Sequence, residues 1–401
     1  MRLLFLNRSF WPDVEATGQF LTELCEDLSS QHSISFIAGP SYQVAVKVGG
    51  LWRREAVGRV SVTRTWGTRL SKKRLATRLV NLGSYYLVAA LATLGVAKAD
   101  VVIAQTDPPL LGALGAALKR RWGCRLVYNV RDLYPDIAVA TGGVKSRSLL
   151  ALLEHANRVA YAVSDLIIVL GQDMARRLID KGVPAQKVTV VTDWADCGQI
   201  RPIEDGPFSA KFDGKFVVMY SGNLGLSQQL EVVLEAADRL RDDQRIVFAL
   251  IGEGARKAAL QKQASSMRLP NVRFFPYSPK SRLAESLSAG DLHVIALRPG
   301  LSGCMVPSKV YGIMAAGRPF VAMMEETAEV ARLARQHSVG LVATPADGAN
   351  LARVVKQAAD DRATVRMMGQ RARRLAEERF DRRLVTRQYA DTIAAISQLP
   401  A

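Results

Sequence analysis

The stretch VPSKVYGIMAAGRP (306–319) places a cation where a helix ordinarily disfavours one. Pro307 and Ser308 open a helix, Val310, Ile313 and Met314 give it an apolar stripe, and Gly317 with Pro319 closes it. Lys309 then falls in the first turn, at the positive end of the helix dipole, which suits a cation only when an anion lies beside it. Three strand-like runs upstream end in residues that complete such a site. FVVMYSG (216–222) runs into Gly222 and Gly225; IVFALIGEG (246–254) ends in Gly252 and Gly254, with Arg256 and Lys257 beyond. DLHVIAL (291–297) delivers Arg298 and the loop PGLSG. Glycines let backbone N–H groups approach a phosphate closely, and cations neutralise its charge. Together these residues describe a diphosphate pocket, with Lys309 and either Arg256 or Arg298 as counter-charge. The plainer readings are tight strand–helix turns for the glycines and a solvated side chain for Lys309.

Such residues need strand ends to carry them, and the chain supplies these in series. LLFLN (3–7), ISFIA (34–38), DVVIAQ (100–105), RLVYNV (125–130), LIIVLG (166–171) and VTVVTD (188–193) read as strands separated by helical periodicity. Continuous apolar strands alternating with helices indicate a parallel sheet covered on both faces, a doubly wound α/β fold. The rhythm breaks at 196–215, then restarts with FVVMYSG, IVFALIGEG, VRFFPYS (272–278), DLHVIAL, PFVAMM (319–324) and GLVAT (340–344). The expected architecture is two Rossmann-like domains facing a central cleft. Residues 1–198 form the first, 199–215 a linker and 216–380 the second, and 381–401 form a helix packing back on the first. Ligands of open α/β sheets bind at the carboxyl ends of strands. Arg131 and Asp132, directly after RLVYNV, fall at such an end.

Composition narrows the partners. Lys and Arg number 54 against 37 Asp and Glu, a formal charge of +17, which implies a polyanionic neighbour or simply high solubility. Four scattered cysteines without CxxC or histidine clusters imply neither zinc nor disulfides. The N-terminal apolar run is too short for a signal peptide and reads as a buried first strand.

Read together, the motifs resemble those of retaining GT-B glycosyltransferases of family 4, in the bacterial surface-polysaccharide branch. WPDVEATGQF (11–20) resembles the family's first-strand loop, NVRDLYPD (129–136) its D-[LI]-[WY]-P segment, and YSGNLGLSQQLE (220–231), VRFFPY, LSAGDLHVIAL and VPSKVYGIMAAGRP its donor-domain landmarks, in order. The resemblance implies a nucleotide-sugar substrate, a UDP-sugar, bound mainly by the second domain, with retention of configuration and neither metal nor cofactor. The donor-binding residues it points to are Gly18, Gly222, Asn223, Gly225, Gly252, Arg256, Phe275, Tyr277, Arg298, Ser308 and Lys309, with the backbone of Phe275–Tyr277 near the base. Lys309 would stabilise the departing diphosphate, and Asp132, with Arg131, would contact the donor sugar or an acceptor hydroxyl or else cap the following turn. Some positions depart from the family. Its two glutamates fall on Cys304 and Gly312, its donor-loop arginine and lysine on Asn223 and Gln228, and a common histidine on Asn129. Glu325 and Glu326 either substitute for the lost carboxylate or open a solvated helix.

RTWGTRLSKKRLATR (64–78) carries six cations and no acid, and LVNLGSYYLVAALATLGVA (79–97) carries no charge. The second run is interrupted by Asn81, Gly83, Ser84 and Gly95 and leads into a sheet strand, so it reads as a packed helix rather than a span. Its face with Tyr85 and Tyr86 is expected to reach lipid while the basic run meets anionic head groups, unless it is a plain core helix. A polyprenyl-diphosphate-linked saccharide acceptor on the cytoplasmic face of the membrane fits this arrangement. Nucleic acid does not, because no motif interleaves aromatics with the cations. The rival readings are a GT-B epimerase or hydrolase of free nucleotide sugar and a non-catalytic nucleotide-binding scaffold.

Overall fold

The computed structural model describes residues 1–13, 15–41, 46, 48–71, 75–144, 146–204 and 206–397. They divide into two compact units, Met1–Val191 with Thr386–Ala401, and Thr192–Val385.

The first unit is an eight-stranded sheet of β1 (Arg2–Leu6), β2 (Ser33–Ala38), β3 (Trp52–Val57), β4 (Val60–Thr65), β5 (Val101–Ala104), β6 (Arg125–Val130), β7 (Leu166–Val169) and β8 (Val188–Val190), in the order β3-β4-β2-β1-β5-β6-β7-β8. Every pairing is parallel except β3 with β4. Every residue of β5 and β7 is buried, which is why these strands are apolar throughout instead of alternating. The sequence reading passes over the β3–β4 hairpin, whose outer strand WRREAV is polar and largely solvated. The order reverses beside β1, so its switch point lies at the carboxyl ends of β1 and β5.

The second unit is a six-stranded parallel sheet of β9 (Phe216–Ser221), β10 (Ile246–Ile251), β11 (Val272–Phe275), β12 (Leu292–Ala296), β13 (Phe320–Met323) and β14 (Gly340–Ala343), in the order β11-β10-β9-β12-β13-β14. Its switch point falls between β9 and β12. The core on one side gathers Phe216, Phe248, Leu250, Val321 and Leu351, all at 2% exposure or less. Burying each such side chain contributes about 1.5–3 kcal/mol.

Residues 199–204 and 206–215 are folded into the second unit. The Ile203 N–H donates to Ser288 Oγ at 3.0 Å, the Phe208 N–H to Glu285 Oε1 at 2.8 Å, and Phe212 is buried. At the other end of the chain, Asn129 Nδ2 donates to the Tyr389 hydroxyl at 3.1 Å inside the first unit.

The helix Leu75–Ala92 faces differently from its sequence reading. Tyr85 is buried and Tyr86 half-buried, its hydroxyl donating to the Pro108 carbonyl at 3.4 Å. Tyr85, Val88, Ala89 and Ala92 share one helical face and pack inward, whereas Leu79, Val80, Leu87 and Leu91 are exposed. Arg64, expected in the basic run, is a buried residue of β4 that donates to Glu55 Oε1 at 2.5 Å. Lys72, Lys73 and Arg74 lie outside the described residues. No helix among the described residues is long and apolar enough to cross a membrane.

Candidate active site

In the second unit three loops meet beside the switch point, at the carboxyl ends of β9, β10 and β11. The Gly222 N–H donates to the Ile251 carbonyl at 2.9 Å, the Leu224 N–H to Glu253 at 2.8 Å and the Gly252 N–H to Phe275 at 3.0 Å, which sews the ends of β9, β10 and β11 together. Gly252 has φ +145°, and a Cβ there would lie 1.9 Å from the Gly222 carbonyl oxygen, so this approach admits only glycine. The Arg298 N–H donates to the Ser227 carbonyl at 2.8 Å and ties the loop after β12 to the loop after β9.

Lys309 is the first residue of the helix Lys309–Ala315. Its Nζ lies 3.7 Å from the centroid of the Tyr220 ring and 2.7 Å from where a Cβ on Gly222 would stand. The ammonium is buried and has no hydrogen-bond partner among the described residues. Burial lowers its pKa to about 7. The ring face stabilises a cation, but an amine buried without an acceptor is costly to the fold alone. An incoming phosphate oxygen would meet an uncompensated donor beside a glycine-lined turn.

The other candidates sort around this point. Gly222, Asn223, Gly225, Gly252 and Tyr277 lie at the same strand ends; a Cβ on Gly252 would be 3.4 Å from the Tyr277 ring. Ser308 is the N-cap of the Lys309 helix, and its side chain makes no capping bond. Gln228 Oε1 is also buried without a partner, 2.9 Å from where a Cβ on Gly225 would stand. Arg256 is already engaged: its Nε donates to Glu231 Oε1 at 2.9 Å. The Arg298 side chain is exposed. The Phe275 ring packs edge-on against Phe208 and Phe212, at 5.2 and 5.8 Å, leaving its backbone at the strand end.

Glu325 is tied to the loop ahead of Lys309, accepting from the Gly300 N–H at 2.8 Å and from the Ser302 hydroxyl. Burial opposes its ionisation, but those two bonds hold its carboxyl below the ordinary range. Glu326 pairs instead with Arg335, at 3.0 Å. A Cβ on Gly312 would meet Leu287 Cδ1 at 3.5 Å and Ile200 Cδ1 at 3.9 Å, so this position faces apolar side chains. Cys304 is buried, and its thiol donates to the Gly300 carbonyl at 3.9 Å.

In the first unit, the Thr106 hydroxyl accepts from the N–H groups of both Arg131 and Asp132 at 3.1 Å, fixing the turn after β6. The Arg131 guanidinium lies 5.4 Å from the Phe20 ring centroid. Gly18 sits in the helix Ala16–Leu28, where a Cβ would lie 2.6 Å from Ser9 Oγ, so it admits the loop after β1 against the helix. That loop holds groups the sequence reading did not single out. Buried Arg8 bridges Glu15 at 2.7 Å and Asp107 at 3.0 Å, and Asp13 accepts from the hydroxyls of Ser9 and Ser41. Burial works against the charge on Arg8, but Asp107 and Glu15 outweigh it and raise its pKa. The signal available was position: Arg8 lies two residues past β1 and Asp107 three residues past β5, the strands that flank the reversal of strand order.

Two parallel-sheet α/β units, each with its polar groups at a switch point, define a GT-B fold. Solved structures with this fold include sucrose-phosphate synthase of Thermosynechococcus elongatus, with a TM-score of 0.81, 14% identity and 99% of each chain covered. Anabaena HepE, solved with UDP, has a TM-score of 0.72 at 16% identity over 98% of this chain and all of its own. Residues 16–194 match the glycosyl transferase 4-like domain and residues 203–375 match glycosyl transferases group 1. WbjE of Pseudomonas aeruginosa, named as a glycosyltransferase, is 30% identical over 72% of this chain and 74% of its own. WcaI of Escherichia coli (strain K12), whose name places it as a glycosyl transferase in colanic acid biosynthesis, is 28% identical over 98% of this chain and 100% of its own. The chain belongs to the GT-B glycosyltransferases of family 4 type.

Proposed function

We propose that the chain moves a hexose or N-acetylhexosamine, with retention, from a UDP-sugar to a polyprenyl-diphosphate-linked saccharide in cell-surface polysaccharide synthesis. The observation that carries this reading is the buried, unpartnered Lys309 ammonium beside the Gly222–Gly252 turn. Departure of a nucleoside diphosphate develops negative charge, and a fixed cation in a dry pocket stabilises that charge more in the transition state than in the ground state. Gly222, Asn223, Gly225, Gly252 and Ser308 would line the diphosphate, with Tyr277 and the Phe275 backbone toward the base and Glu325 setting the loop ahead of Lys309. No metal or cofactor enters this scheme. Asp132 and Arg131 would meet the sugar or acceptor from the first unit. The colanic acid role in the name of WcaI and the UDP bound to HepE support the pathway and the nucleotide.

The acceptor would be met at the cytoplasmic membrane face. In support, Leu79, Val80, Leu87 and Leu94 are 46%, 49%, 64% and 62% exposed along the helix Leu75–Ala92 and the turn after it. Titration calorimetry with UDP tests the donor site. Lys309→Met is expected to weaken binding by about 1.5–3 kcal/mol, the range for a charged hydrogen bond. Unchanged affinity would remove Lys309 from the pocket.

A further inference from the structure

The second unit carries another cationic recess, at the amino ends of the strands whose carboxyl ends hold Lys309. Phe216 opens β9, Asp291 directly precedes β12 and Arg318 lies two residues before β13. With Arg362, Val365 and Arg366 from the helix Arg362–Arg379 they line a small cleft. Arg318 and Arg362 are half-buried. None of the three guanidinium groups has an ion-pair partner within 4.0 Å among the described residues. Arg362 donates weakly to the Gly214 carbonyl at 3.4 Å and lies 5.5 Å from the Phe216 ring centroid. The side chains of Arg318 and Arg366 make no hydrogen bond among the described residues.

Asp291 is the single acid of the lining, and its carboxylate accepts the Val217 N–H at 2.7 Å. Three cations therefore face one carboxylate that is already bonded. Burial pushes the Arg318 guanidinium down from its ordinary value although Asp291 and Glu204 act against it, so the local acids do not balance the desolvated charge. Other arginines of this chain are closely matched: Arg335 takes both oxygens of Glu326, at 3.0 and 2.5 Å, and Arg177 bonds Asp136 at 2.9 Å. Desolvating a cation without a partner costs the fold, and guanidinium forks match the oxygens of a phosphoryl group. The helix start itself is not the donor, because Asp361 already accepts the Thr364 N–H at 3.0 Å.

We infer that Arg318, Arg362 and Arg366 bind a phosphate-type oxyanion, free or carried on a lipid headgroup, at a second site distinct from the Lys309 pocket. The test uses the full chain carrying Lys309→Met, so that the donor pocket does not contribute. Inorganic phosphate is titrated at low ionic strength, and vesicles of phosphatidylglycerol are tested by co-sedimentation. Adding Arg362→Gln and Arg366→Gln is expected to cut binding at least tenfold. The equally charged control Arg120→Gln with Arg121→Gln, on an exposed helix surface of the first unit, should change it less than twofold. Arg366→Gln alone gives a milder variant, since that exposed side chain makes no hydrogen bond whose loss would affect folding. Loss of phosphate binding identifies a soluble ligand, and loss confined to vesicles identifies a headgroup. Unchanged binding to both, or an equal loss in the control, overturns the inference. Because the readout is binding with Lys309 already removed, its failure is separate from failure of the donor-site reading.

Discussion

Lys309 and His293 are buried basic groups of the second unit, and each affects stability as well as function. Lys309 places an unpartnered amine against Tyr220, which a fold optimised for stability would avoid. Lys309→Met is therefore expected to raise the unfolding free energy by about 1–3 kcal/mol while it weakens UDP binding. Denaturant unfolding checks this, and a destabilised variant would show that the lysine stem or its cation–π contact matters more than the buried charge. His293 is fully buried, with Nε2 2.9 Å from the Leu287 carbonyl, and burial lowers its pKa from 6.5 to about 4. The unfolded chain then binds the proton at a higher pH than the folded chain does. The stabilising contribution is complete above pH 6.5 and is lost as pH falls toward 4, an effect of about 3 kcal/mol. Unfolding curves across that window should fall steeply for the parent and be flatter for His293→Gln. Equal slopes would acquit the imidazole.

At the scale of elements, the turn after β10 is the most constrained piece of the site. Gly252→Ala must move either the new methyl or the Gly222 carbonyl, which would stand 1.9 Å apart, and must also hold φ +145°. Loss of more than about 2 kcal/mol of stability, together with loss of nucleotide binding, is the expected result. A variant that binds UDP normally would show that the β9 and β10 turns open independently. Most strands were legible because a strand covered on both faces must be apolar throughout, as in VVIA (101–104) and LIIV (166–169). The hairpin β3–β4 was not: its outer strand is edge-exposed and polar, although the alternation around Gly58 was a usable sign. The helix Leu75–Ala92 shows a different limit. Its composition announced an apolar helix, but every position from Tyr85 to Ala92 is apolar, so periodicity there could not say which face turns inward, and the tyrosines went in. The glycines and Lys309 could be placed at strand and helix ends from spacing alone. That Lys309 lacks a partner while Arg256 has Glu231 depends on contacts between distant segments, which no local pattern encodes.

For the molecule as a whole, a charge of +17 and an exposed leucine row predict association with anionic bilayers. Co-sedimentation with phosphatidylglycerol vesicles should fall when salt is raised from 0.1 to 1 M, as the Debye length shrinks from about 10 to 3 Å. It should also fall at low salt in Leu87→Asp, with no change in unfolding midpoint because that side chain is 64% exposed. Binding that ignores both would leave the membrane reading without support.

The first unit takes in residues from both ends of the chain, and this affects synthesis. Asn129, on a central strand, finds its partner in Tyr389, which leaves the ribosome some 260 residues later. A nascent chain that has only just exposed β8 holds all eight strands but not the segment from Thr386 that completes this unit. The apolar surface that Tyr389, Ile393 and Ile396 will cover therefore stays open throughout translation of the second unit. Chaperone contact should accordingly be longest on the half of the protein that is made first. A 1–191 fragment expressed alone should be short-lived unless the last helix is supplied as a peptide.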